Sequence, residues 1–313
     1  ELQKERADAW GLAQTARKKL IHVSWGQLAK VQDWQQVYEK TPVYTNFHGK
    51  PGEQHRVFVF NAETWEEPPE EPWKSHAEWT GTASVSLKWL LTNKGDSDVL
   101  WASDGRNRHV RRKLDAAFEG ARFRHDAWVV FTPTPRVGRK LAFSAANQEA
   151  ILVSMPLNRS QLSTQKRDSF NSAGEESTHD TFYTGVDPIP WGALPLLNAA
   201  DKEKILGYPS AIPPASGSKQ GFDASLCLPL FWTERKGLGV WKQLMLHLNA
   251  GSVFYLTPGS GQCARACMEM GIPYACTAKN AAHGSWLINV LDRMALAQIC
   301  KHGSTLFQQD LSE

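Results

Sequence analysis

The sequence has no long apolar run. Its longest, such as Ala127–Phe131 and Ala150–Val153, fall far short of the roughly 18 residues a membrane helix needs, so no bilayer-spanning segment is expected. It also lacks the paired spacing of a metal or disulfide framework. The five cysteines (Cys227, Cys263, Cys267, Cys276, Cys300) are odd in number, confined to the last third and free of any CxxC. That pattern excludes a disulfide-built scaffold and a zinc site, and it suits a reducing, intracellular compartment, whether nucleus or organelle. The ten histidines contain no HxxxH or HxH pair, so no metal is expected. There is no GxSxG, and no Gly-Lys-Ser/Thr follows a glycine loop, which removes the commonest serine-hydrolase and nucleotide-phosphate signatures. A net charge of only +3 does not imply a polyanionic partner from bulk charge.

What remains is the composition of an ordinary folded chain. Of 313 residues, 42% are hydrophobic and 21% charged, enough to build a core and too apolar for wholesale disorder. Tryptophan is frequent, 13 against six tyrosines, and scattered rather than periodic. The chain opens on Glu1, and a cleaved targeting peptide or an unstructured leader is the expectation upstream.

Residues 1–80 read as a helical N-terminal extension ending in an acidic tether. Trp10, Ala13, Ala16 and Leu20, then Leu28, Val31, Trp34 and Val37, recur at helical spacing and predict two helices over Leu2–Glu39, with Ser24 capping the second and Pro42 closing it. Arg56–Asn61 reads as a short strand, and Glu63–Trp79 as an acidic, proline-rich loop. Residues 81–313 read as one α/β domain. Ser84–Leu91 and Arg108–Phe118 have helical character, Asp98–Ala102 and Ala127–Thr132 read as buried strands, and Arg139–Ser144 with Ala150–Met155 as an antiparallel pair. The last hundred residues alternate clearly: helix Leu238–Leu248, strand Ser252–Leu256, helix Gln262–Met270, strand Pro273–Thr277, helix His283–Ile299 and a final strand Ser304–Gln308. The expected fold is a doubly wound, mostly parallel sheet.

The junction Thr257-Pro-Gly-Ser-Gly261 is the sharpest local signal. A strand that runs through Gly259 and Gly261 into a helix can turn tightly and bring backbone N–H groups close to a ligand. The position three after Gly261 is Ala264, so the GxGxxG dinucleotide fingerprint is absent. A second signal is electrostatic. Between Trp101 and Phe143 there are ten basic residues against four acidic ones, densest at Arg106, Arg108, Arg111, Arg112 and Lys113. Such a patch fits an acidic protein neighbour first and a nucleic-acid backbone second.

The run from Glu234 to Gly261, a basic start, an amphipathic helix, a buried strand and the glycine turn, resembles S-adenosylmethionine-dependent methyltransferases. In particular it is similar to the permuted DNA amino-methyltransferases, whose cofactor half lies C-terminal to the catalytic half. The resemblance covers 84–310 in architecture and a shorter stretch around Gly259 in motif. It implies a Rossmann-like methyltransferase fold in permuted order. In an active member, Gly259, Ser260 and Gly261 would line S-adenosylmethionine, and Asp104 would be the polar group near the target amine.

The departures are chemical. The family's acid at the glycine-strand end aligns with Tyr255, and the acid that binds the ribose hydroxyls aligns with Ala278. Each lost carboxylate removes charge-assisted hydrogen bonds of about 1.5–3 kcal/mol. Ser103-Asp104-Gly105-Arg106 lacks the proline pair and stacking aromatic of the catalytic loop, and Asp187-Pro-Ile-Pro-Trp191 imitates that motif at a position where the family does not place it. The expected function is therefore a non-catalytic, methyltransferase-like subunit of a larger protein assembly that needs no cofactor. The alternative is an active S-adenosylmethionine-dependent methyltransferase acting on nucleic acid.

Overall fold

The computed structural model describes residues 2–25, 39, 54–61, 87–92, 94–95, 98–104, 108–119, 124–132, 148–154, 181–185, 236, 238–259, 261–278 and 281–308. The chain begins with helix α1 (Leu2–Leu20), whose buried stripe is Ala13, Ala16 and Arg17, and whose last turn carries Lys18 and Lys19 where they oppose the helix dipole. Strand β1 (Ile21–Trp25) follows without a break, then β2 (His55–Asn61) and β3 (Val99–Ser103). Helix α2 (Arg108–Ala117) leads to β4 (Arg124–Thr132), β5 (Gln148–Ser154) and β6 (Thr181–Gly185). The C-terminal part is α3 (Leu238–His247), β7 (Ala250–Tyr255), α4 (Gln262–Met270), β8 (Tyr274–Ala278) and α5 (Ala281–Ile299).

The eight strands among the described residues form one sheet in the order β1-β8-β7-β2-β3-β5-β4-β6. Every adjacent pair is parallel except the two made by β5, which runs antiparallel to β3 and to β4. This is the doubly wound, mostly parallel α/β fold, with the glycine-turn strand placed late in the chain and central in the sheet. Two cores cover its faces. One packs α1, α3, α4 and α5 on Val57, Val59, Trp101, Val253, Tyr255 and Tyr274. The other packs the helical residues 87–92 and α2 on Phe58, Phe60, Leu100 and Phe254. The alternation within β2, Val57 and Val59 to one face and Phe58 and Phe60 to the other, is the period-two reading of a strand buried on both sides.

Several expectations are corrected. The first of the two helices expected over Leu2–Glu39 ends at Leu20, and Ser24, expected to cap the second, lies in a strand. Ile21-His-Val-Ser-Trp25 is β-branched and aromatic enough to form an edge strand instead, paired with β8 from Ile21–Tyr274 to Trp25–Ala278. The N-terminal segment thus supplies a helix and also two strands, and the sheet runs through the division expected at residue 80. The antiparallel partners of β5 are β3 and β4; Arg139–Ser144, expected to pair with it, lies outside the described residues, as do the acidic loop Glu63–Trp79 and residues 26–38 of the helix expected after Ser24, whose last residue, Glu39, is helical. Ser304–Gln308 is not a strand. It forms turns, with Phe307 N–H donating to Ser304 O and Gln308 N–H returning to Ile299 O.

Candidate functional site

Helix α4, after β7, packs on one face of the sheet, whereas the helical residues 87–92, between β2 and β3, pack on the other. Successive connections therefore leave β7 and β2 in opposite directions. The carboxyl ends of these two neighbours form the topological switch point, where open α/β sheets place their ligands. The strand beside β7 is β2, ending on Asn61. Asp104 follows β3, one strand further out, and is buried there.

Polar side chains tie these strand ends together. Asn61 N–H donates to Thr257 Oγ1 at 2.7 Å, Ser103 Oγ donates to Asn61 Oδ1 at 2.7 Å, and Lys236 Nζ donates to the same oxygen at 3.3 Å. Lys236 precedes α3 and is fully buried between indole rings, its Nζ 5.8 Å from the Trp101 centroid and 5.9 Å from that of Trp241. Neither Asn61 nor Lys236 was legible as a site residue, because the contact depends on three strand ends meeting.

The glycine turn is buried from Leu256 to Gly259. Nε2 of His283, on the first turn of α5, lies 3.1 Å from Gly259 O, so as an N–H donor this fully buried ring clamps the loop. Gly261 takes φ +85° at the start of α4, and a Cβ there would stand 3.3 Å from Leu287 Cδ2. The close approach of α4 to α5 therefore explains this glycine. Ser260 lies outside the described residues.

At the two positions where the resemblance calls for acids, the side chains are apolar or occupied. Tyr255 ends β7 in an aromatic column, 5.5 Å from Trp241 and 6.5 Å from Tyr274 between ring centroids. Ala278 ends β8, fully buried, and offers only a methyl group. Beneath them burial pushes the Tyr274 phenol well above its ordinary range. The Cys276 thiol is pushed up to about 12 by burial, against a smaller opposing pull from its hydrogen bond with Tyr274. These groups are neutral at physiological pH.

The basic face is carried by α2, which packs on the second core. Leu114 and Phe118 are buried in the second core, while Arg112 and Lys113 are exposed. Arg111 is half-buried, its Nε 3.2 Å from Asp115 one turn on. Arg108 belongs to the helix, and Arg106 lies outside the described residues.

Neither a protein-family model nor a curated protein sequence matches the chain. Solved structures do resemble it. M1.HpyAVI in complex with SAM is 10% identical, with a TM-score of 0.44, over 87% of this chain and 99% of that one. TTHA0409 of Thermus thermophilus, assigned as a DNA modification methylase and complexed with S-adenosyl-L-methionine, is 10% identical, with a TM-score of 0.45, over 88% of this chain and 96% of that one. A likeness at this level assigns no residue a role. Among the described residues, no cluster of three or more metal-ligating side chains occurs, and no helix is long and apolar enough to cross a membrane.

Proposed function

We infer that this chain is a methyltransferase-like protein that does not catalyse methyl transfer and serves as a binding or structural subunit of a larger protein assembly. One observation carries the reading: at the end of the glycine-turn strand, the place of the cofactor-holding acid is taken by Tyr255, locked in a column with Trp241 and Tyr274. Ala278 removes the second acid, and the Gly259 carbonyl already has a partner in His283. These residues do not fit a cationic sulfonium nucleoside, whose charge and ribose hydroxyls would have to be desolvated without carboxylates to receive them.

The binding role is supported by α2. A helix that buries Leu114, with Phe118 buried just past its end, while turning Arg112 and Lys113 outward offers a cationic ridge to an acidic neighbouring subunit. A nucleic-acid backbone is the second partner such a ridge could meet.

Calorimetric titration of the purified protein with S-adenosylmethionine tests the reading, and no binding is expected. Low-micromolar affinity, about 8 kcal/mol, would overturn it and favour the active alternative. In that alternative the cofactor lies over Gly259–Gly261 and Asp104, buried after β3, is the polar group near the target amine.

A further inference from the structure

Lys236 is the feature least explained by folding alone. Lysine is among the residues least often buried, and an ammonium taken from water needs compensation. Here it is 1% exposed and lies over the faces of Trp101 and Trp241, both within the roughly 6 Å over which a cation gains from an aromatic quadrupole. The two rings stand 5.4 Å apart at 62°, so they form two walls of a corner, and Asn61 Oδ1 supplies an acceptor at 3.3 Å. The indole Nε1–H groups of Trp101 and Trp241 are buried and make no hydrogen bond among the described residues. A buried donor left unsatisfied is destabilising, and phenylalanine would fill a core without that penalty. What tryptophan adds in return is the stronger cation-attracting face.

We propose that Trp101, Trp241 and Asn61 form a cation-binding cage beside the switch point, and that the chain occupies it with its own Lys236 ammonium. The chemical class the cage accepts is a primary alkylammonium. An external cation of that class binds only by taking the place of Lys236. This inference does not depend on whether the protein binds S-adenosylmethionine.

The test is chemical rescue. Lys236→Ala leaves a space shaped like n-propylammonium, with n-propanol as the neutral probe of similar size. Tryptophan fluorescence and thermal unfolding are followed for the variant and for the unsubstituted protein. The variant is expected to bind n-propylammonium about tenfold more tightly than n-propanol and to unfold at a higher temperature in its presence, while the unsubstituted protein responds to neither. Equal responses to the two probes, or the same response from the unsubstituted protein, would overturn the cage. Lys236→Met, of similar length and without charge, reads the same selectivity if the alanine variant does not fold. It is expected to unfold at a lower temperature than the unsubstituted protein, and an equal or higher unfolding temperature overturns the proposal. S-adenosylmethionine binding by the unsubstituted protein would refute the function proposed above and leave this result intact.

Discussion

Arg17, near the end of the first helix, donates from Nε to Asp292 of the last helix at 2.7 Å across 275 positions of sequence, and both side chains are buried. Gln14 reaches the other carboxylate oxygen at 3.4 Å. The pair joins the two ends of the chain over the sheet edge where β1 meets β8. Removing one partner strands a buried charge, so Asp292→Ala or Arg17→Met is expected to lower stability by about 3–5 kcal/mol. Replacing both with apolar residues should recover much of that loss. Urea unfolding of the two single variants and the double variant measures it, and additive losses would show that the two charges do not act as a pair.

Two glycines should respond to the same substitution with opposite signs. Gly261→Ala forces a side chain into φ +85° and against Leu287, at a cost of about 1–2 kcal/mol. Gly11 sits within α1 with no atom within 4 Å of an added Cβ, so Gly11→Ala should stabilise by about 0.5–1 kcal/mol. Thermal unfolding of the two variants side by side is the check.

The buried thiols predict a pattern of reactivity and a pH dependence. Cys300 is exposed and should be alkylated in the native protein, whereas Cys263, Cys267 and Cys276 should react only after unfolding. Because Cys276 is raised in the fold from 9.0 to about 12, its contribution to stability is complete below pH 9. It is lost progressively as pH rises from there towards 12, since the unfolded chain ionises first. Denaturant midpoints across that range for the protein and for Cys276→Ala measure the effect; parallel curves would refute it.

Charge reversal at Arg112 and Lys113 separates a contact surface from a solvated helix. Both side chains are exposed, so the unfolding temperature should hardly move. Association with the native assembly should weaken and become less sensitive to salt. Unchanged association would leave α2 without the partner role proposed for it.

The C-terminal half was legible because its strands are buried on both faces and its helices carry one apolar stripe. Gln262–Met270 was bounded to the residue by Gly261 and Gly271, both of which take positive φ. The N-terminal half was harder for a physical reason. Ile21–Trp25 continues the apolar spacing of α1, and only its pairing with β8 reveals a strand. Arg56–Asn61 was legible as a strand, but nothing local distinguishes an isolated strand from a central one, so Asp104 after β3 was singled out while Asn61, at the end of β2 beside β7, was not. The Lys236 cage was invisible for a similar cause: its walls come from β3 and α3, and a lysine in a polar run looks solvated until they close on it.

The hydrogen bond from Asn61 to Thr257 spans 196 positions, and it marks the seam at the centre of the sheet. During synthesis β2 emerges early and its partner β7 very late, so one edge of the middle strand stays bare while most of the chain is being made. Pairing over such separations is slow, because the intervening loop must close before any contact rewards it. An apolar strand exposed that long is a site for mispairing with other nascent chains. Yield of the folded protein should therefore depend on holdase chaperones that shield the segment 55–61 until the ribosome has delivered 250–255.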